Sequence, residues 1–331
     1  MEQELSFGRP VHALKPGLAD ISTKGVAMPR VGRVLRVAAV ATAPALLGAC
    51  STALMNPKGQ VGFAEKQILI DSMAIMLAIV IPTIVATLAF GWWFRAGNKR
   101  AKYLPDFAYS GQLELIVWAI PLLTIMLLGG VTWVSSHQLD PAQPLASKEP
   151  AMDIQVVSMD WKWLFIYPSQ SIATVNHLVV PAGVPIHFTL TSSSVMNAFF
   201  VPELGSMIYT MNGMADNLNL VADKVGTYAG MSSHYSGDGF SDMHFDVKAV
   251  TPEQFDQFVA ASQKSDGQLD DDTYKTLQKQ GTWKPTTYRL ADPDLFDKVV
   301  DQRLPPGPGP EMTANADITP KHPNIVTKQE H

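Results

Sequence analysis

Two long apolar stretches constrain this chain more than any other feature. Ile68 to Phe94 carries one charge, Asp71, near its outer end, and Leu113 to Val134 carries one, Glu114, at its inner end. Each supplies roughly 20 or more residues, enough for a helix to cross a hydrocarbon core of about 30 Å. Trp92, Trp93, Trp118 and Trp133 sit at the ends of these stretches or one turn in, where interfacial aromatics collect. Pro82 and Pro121 lie inside them, a position that neighbouring helices can accommodate. The intervening loop sets Arg95, Lys99, Arg100 and Lys102 against Asp106 alone, and such an excess of cations marks a cytoplasmic loop. Buried helices of a large soluble protein could supply the apolar runs but give no reason for the basic loop. The expectation is a transmembrane hairpin, with helices over 67–94 and 113–134, a cytoplasmic loop over 95–112, and the rest of the chain on the outer face.

Upstream, Arg30, Arg33 and Arg36 precede an apolar run from Val37 to Gly48, the layout of a secretory signal. It ends in Leu47-Gly48-Ala49-Cys50, which resembles the lipobox of bacterial lipoproteins. There the cysteine sulfur is acylated and the chain is cut before it. Residues 1–49 are therefore expected to be a signal peptide, Cys50 a lipidation site, and 50–66 a lipidated tether outside the membrane. So many residues precede Arg30 that Met28 is the expected translation start, with 1–27 untranslated. Cys50 is the only cysteine, so an internal disulfide, a cysteine zinc site or a two-thiolate metal centre is excluded within the chain.

Residues 135–150 read as a polar linker containing His137, Pro141, Pro144 and Pro150. From 151 the period changes to two. Ile186, Phe188 and Leu190 alternate with His187, Thr189 and Thr191, and Met243, Phe245 and Val247 alternate with His244, Asp246 and Lys248. Turn signals separate such runs, so 151–250 is expected to be an all-β sandwich or barrel. Thr251-Pro252-Glu253-Gln254 combines an N-cap, a proline at the first helical position and a capping-box glutamine. Asp292-Pro293-Asp294 opens a second amphipathic run. A helical extension over 251–302 follows from these signals, and a disordered tail over 303–331 from composition. After position 150 there are 12 Lys+Arg against 21 Asp+Glu, an acidic balance that disfavours nucleic acid as a partner.

The motifs then point to a family. Asn56-Pro57-Lys58-Gly59-Gln60, Val157-Ser158-Met159-Asp160-Trp161-Lys162-Trp163, Ser194 to Pro202 and Gly226 to Met243 together resemble subunit II of bacterial cytochrome bo-type ubiquinol oxidases, the quinol branch of the heme-copper oxidases. The resemblance covers roughly residues 46–300. It implies a cupredoxin-like periplasmic domain on a two-helix hairpin, with Trp161 and Trp163 in the family's aromatic strand. In the cytochrome c branch this domain holds a dinuclear copper centre made by two thiolates, two imidazoles, a Met and a backbone carbonyl. On this sequence the first His position is Asn197, the Cys positions are Ser232 and Ser236, the carbonyl donor is His234, and the second His position is Phe240. Only Met243 is retained. Soft thiolates suit electron-transfer copper, and a serine hydroxyl does not replace them.

No metal or cofactor is therefore expected on this chain, and no catalytic residue. The resemblance implies heme and copper in a partner subunit I, smaller accessory subunits, and ubiquinol as the substrate of the complex. It places the chain in the bacterial inner membrane, crossing twice, lipid-anchored and with its C-terminal domain in the periplasm. The complex oxidises ubiquinol, reduces dioxygen to water and pumps protons. An alternative from another class is a free-standing copper-binding periplasmic lipoprotein, for which Met231, His234, Met243 and His244 offer donors; alternation turns Met243 inward and His244 outward. His177 and His187 read as residues on the polar side of a strand. Asp71 and Glu114, at the membrane edges, are open to a role with the partner subunit or with headgroups.

Overall fold

The structure, a computed structural model, describes residues 53–307 and 309 apart from 103 and 148. The signal peptide, Cys50 and nearly all of the expected tail lie outside the described residues. Among those described, two helices are long and apolar enough to cross a membrane, α1 (Gln60–Trp93) and α2 (Gly111–Gln138). Thr83 and Thr124, each beside a proline or one turn beyond it, bond back to the carbonyls of Ile79 and Ile120, so their hydroxyls need no partner from another helix.

Both helices exceed the expected spans. At about 1.5 Å per residue α1 is about 51 Å long, some 20 Å more than a hydrocarbon core requires. The surplus lies at its N-terminus, inside the stretch expected to be a tether, where Val61 and Gly62 are buried. Backbone bonds hold that end to the β-domain. Lys58 N donates to Glu203 O (2.6 Å), Gly62 N to Leu204 O (3.0 Å), and Asp223 N to Lys58 O (2.9 Å). The Ser206 hydroxyl donates to the Glu65 carboxylate. α2 likewise runs into the expected linker. Just beyond it, Asn219 donates from its side chain to Pro141 O and Ala142 O, at 3.2 and 3.1 Å.

The β-domain is a cupredoxin-like sandwich. Its strands are β1 (Met152–Met159), β2 (Lys162–Tyr167), β3 (Ile172–Val175), β4 (His177–Pro181), β5 (Pro185–Ser192), β6 (Asn197–Phe200), β7 (Ile208–Thr210), β8 (Asp216–Val221), β9 (Gly226–Ser232) and β10 (His244–Val250). Beyond β10 come α3 (Pro252–Ser262), β11 (Gln268–Leu269), α4 (Asp271–Leu277), β12 (Thr286–Leu290) and α5 (Leu295–Val300). One sheet has the order β11-β12-β3-β2-β1-β5-β8, the other β4-β10-β9-β6-β7. Between them lies an aromatic core. Trp163 meets Phe199 and Phe245 edge-on at 5.4 and 5.7 Å, and Phe199 stacks on Phe245 at 5.3 Å.

The extension after 250 differs from a purely helical one. Thr251 does cap α3 through a capping box, and α5 follows Asp294. However, β12 pairs antiparallel with β3, with Tyr288 opposite Ala173, and β11 joins it at the sheet edge. Leu269, Tyr274, Leu277, Leu295, Phe296 and Val299 then form a second core with Val157, Met159, Leu164 and Ile166. The outer face of the larger sheet is thus roofed by the extension. This is why β2 is buried at every position and shows no alternation. Residues expected in the tail also take part, since Gly307 N donates to Ser193 O at 2.8 Å.

Candidate functional site

The positions matched to copper ligands converge where β6 begins and β9 ends. Asn197 opens β6, Ser232 closes β9, and the loop from Ser233 to Met243 returns to β10. Backbone bonds fix this loop: Ser232 N donates to Met243 O (3.0 Å) and Ser233 N to Ala198 O (3.0 Å). The left-handed Gly237 (φ 103°) lets it turn. Gly239 lies flat beneath the indole of Trp161, where a Cβ would come within 2.2 Å of the ring. Trp161 itself has φ 65° in the tight β1–β2 turn and donates from Nε1 to Ser236 O at 3.0 Å. Trp161, expected in a strand with Trp163, thus sits in the turn before β2 and ties that turn to the loop, while Trp163 lies in β2.

Inside the loop the polar groups satisfy one another. The Ser232 hydroxyl reaches Asn197 Oδ1 at 3.1 Å and His234 O at 3.3 Å. Asn197 Nδ2 donates to Val195 O at 3.3 Å, and Ser236 Oγ lies 4.0 Å from Met243 Sδ. Asn197, Ser232, Ser236 and Met243 are all buried. Phe240 is half-buried and stands edge-on to Tyr235, while the His234 ring leans out against Tyr209. The structure thus brings Asn197, Ser232, Ser236, Met243 and the His234 carbonyl together, and turns the His234 and Phe240 side chains away. Two hydroxyls, one amide and one thioether do not fit a dinuclear copper centre, which needs thiolates to bridge the metals and imidazoles to complete them. His244 is exposed on the opposite face from Met243, directly across from the exposed Met231. His177 is half-buried and bonded to Thr287; His187 bonds Asn219. Among the described residues no group of three or more His, Cys, Asp or Glu is arranged to hold a metal.

Sequence reasoning passed over the residue next to this loop with the most perturbed chemistry. Lys162 follows Trp161 and is fully buried. Its Nζ donates to Asp160 O at 3.0 Å and to Lys279 O, in the extension, at 2.8 Å. Burial pulls its pKa down to about 8, against the attraction of Asp160. A lysine in a strand ordinarily faces water, and only the roof formed by the extension changes that.

The consequence for stability has a definite sign. Between pH 8 and the ordinary lysine value of 10.5, the unfolded chain holds the Lys162 proton and the folded chain has released it. Stability therefore rises through that window, by at most about 1.4 kcal/mol per pH unit. Burial raises the Tyr167 and Tyr274 phenols well above 10, so above that pH the unfolded state loses protons first and stability falls. Guanidinium midpoints of the full chain in detergent should peak near pH 10. The substitution Lys162→Met should abolish the rising limb while lowering the whole curve, because two carbonyls lose their donor. A rising limb that survives in the variant would assign it to another group.

Comparison with known proteins agrees with this architecture. Residues 152–250 match the family model described as cytochrome C oxidase subunit II, periplasmic domain. The chain is 47% identical over 260 residues to cytochrome bo(3) ubiquinol oxidase subunit 2 of Pseudomonas aeruginosa, covering 78% of each chain. It is 43% identical over 273 residues to ubiquinol oxidase subunit 2 of Acetobacter aceti, covering 82% of this chain and 88% of that one. Against quinol oxidase subunit 2 of Bacillus cereus it is 38% identical over 238 residues, covering 71% and 82%. With this identity sustained across hairpin and β-domain together, the chain belongs to the subunit 2 family of bacterial ubiquinol oxidases.

Proposed function

We propose that this chain is the non-catalytic subunit II of a proton-pumping ubiquinol oxidase in the aerobic respiratory chain, where it holds a copper-free domain over the outer face of the complex. As part of a quinol:oxygen oxidoreductase it works with other subunits, and the cofactors belong to them. Our reading assigns heme and copper to subunit I, which oxidises ubiquinol and reduces dioxygen. The observation that carries it is the donor set at Asn197, Ser232, Ser236 and Met243, hydrogen-bonded within itself and lacking thiolate or imidazole. A water-soluble one-electron donor requires an entry metal on the outer face. Ubiquinol is dissolved in the bilayer and can reach a membrane-embedded acceptor directly, so a domain without copper suits a quinol substrate.

The same reading places the chain in the inner membrane as a two-pass subunit with residues 135 onward in the periplasm. Acylation of Cys50 is supported by the sequence Leu47-Gly48-Ala49-Cys50 and adds a lipid to two spans that already suffice as an anchor. α1 and α2 present apolar side chains such as Leu88, Leu115, Ile125 and Trp118 outward along their length, surface suited to subunit I and to lipid.

The test is metal analysis of the complex and of the separated chain. We expect heme and copper to remain with the partner. The separated chain, given copper and then dialysed, should retain less than about a tenth of an equivalent, with no thiolate–copper absorption in the visible. Stoichiometric copper on the separated chain would overturn the reading and put electron entry back on this domain.

A further inference from the structure

The loop between the two membrane helices holds a cavity that the oxidase assignment does not use. It measures about 590 Å³ and is lined by Phe94, Arg95, Asn98, Lys102, Leu104 and Phe107, with Ala96 and Ala101. That volume falls within the roughly 300–1,000 Å³ of small-molecule sites. Its walls are of two kinds. Phe94, Leu104 and Phe107 are more than half exposed, an apolar lining with no protein cover among the described residues. Arg95 and Lys102 bring two cations, and neither forms an ion pair among the described residues.

The loop is built rather than slack. Asn98 N donates to Arg95 O at 2.9 Å, Asn98 Nδ2 to Trp93 O at 2.6 Å, and Arg100 N to Asn98 Oδ1 at 3.1 Å. The amide of Asn98 is therefore spent on shaping the turn, which leaves the cations to meet a ligand. The Arg95 guanidinium rests 5.0 Å over the Trp92 ring, which restrains it at the mouth of the cavity. Orienting the hairpin needs cations in this loop but does not need two of them to line a cavity with phenylalanine and leucine walls. Lys99 and Arg100 supply charge without lining it.

We infer that this cavity binds the headgroup of an anionic phospholipid of the cytoplasmic leaflet, with Arg95 and Lys102 on the phosphodiester and Phe94, Leu104 and Phe107 against the first methylenes of the acyl chains. Position favours a lipid over a soluble anion. The cavity begins at Phe94, the residue that caps the C-terminus of α1, where aromatic and basic side chains meet the membrane surface and where cationic pockets take acidic headgroups.

The experiment uses the full chain, with whatever subunits it retains, in a neutral detergent. Phosphatidylglycerol and phosphatidylcholine of the same acyl composition are added separately, and bound lipid is counted by native mass spectrometry. Phosphatidylglycerol should saturate at one high-affinity molecule per chain that phosphatidylcholine does not displace. Arg95→Gln/Lys102→Gln should weaken it roughly thirtyfold. Lys99→Gln/Arg100→Gln removes the same charge outside the cavity and should leave affinity within about twofold. Equal binding of the two lipids by the wild type, or equal losses in both variants, would reduce the site to general surface charge and overturn it. Displacement of phosphatidylglycerol by millimolar inorganic phosphate would reassign the cavity to a free anion and overturn the lipid. Heme content, measured on the same samples, reports subunit association independently.

Discussion

Trp163→Ala should cost the β-domain about 4 kcal/mol, a large share of the roughly 5–15 kcal/mol that keeps a typical domain folded. The indole is fully buried and stands edge-on to both Phe199 and Phe245, so truncation removes two aromatic contacts and leaves a cavity between the sheets. Those neighbours cannot collapse into the space, because Phe199 and Phe245 are stacked on each other and Phe165 packs 5.1 Å from Phe245. Trp163→Phe separates the possible causes. The indole N–H has no hydrogen-bond partner among the described residues, a burial that ordinarily costs about 1–3 kcal/mol. Phenylalanine deletes that group and keeps most of the ring, so it should fall within about 1.5 kcal/mol of wild type. Guanidinium unfolding of the detergent-solubilised chain, followed by circular dichroism, reads both. If the two variants fell equally, the loss would follow the indole N–H, which would then have to hold a stabilising partner, and the packing account would be overturned.

Gly59→Ala should break the junction between hairpin and β-domain while leaving both intact. An added Cβ would lie 2.4 Å from Val221 O and 2.7 Å from Leu204 O. Both are backbone atoms that cannot swing aside. Overpacking in such a place costs about 1–3 kcal/mol or more, and the three backbone bonds around Lys58 and Gly62 would be lost with it. The expected result is a rise of tenfold or more in protease cleavage around residues 139–151, where the chain leaves α2, with the unfolding midpoint of the β-domain unchanged. If that midpoint fell in step, the junction would be part of the domain's core and not a dock upon it.

The sequence made some parts of this molecule plain and hid others for physical reasons. The hairpin was legible because two long uncharged runs flank a basic loop, a combination that crossing a bilayer explains and a buried soluble helix does not. α3 was legible because Thr251, Pro252 and Gln254 are all local and complete a capping box without help from the rest of the fold. The loop residues around Ser232 could be placed by motif, but not their hydrogen-bond pattern, which depends on Asn197 arriving from another strand. β12 was hidden because its partner β3 lies far upstream, and β11 because it is only two residues long and pairs with β12 alone. Lys162 was hidden because its burial depends on Lys279, more than a hundred residues later. The dock at Val61, Gly62 and Glu65 was missed because a helix start was sought where the membrane begins, and the helix answers also to the domain above it.

The roof over the larger sheet has a consequence in time. The sheet residues it covers, from Val157 to Val175, are synthesised well before Leu269 to Val299, which cover them. Until those last residues emerge, the outer face of β1, β2 and β3 stands open, presenting Leu164 and Ile166 to water and to other nascent chains. The C-terminal segment is thus the last cover these strands receive as the chain is made. A truncation there would be felt first as aggregation in the periplasm rather than as a change in the finished molecule.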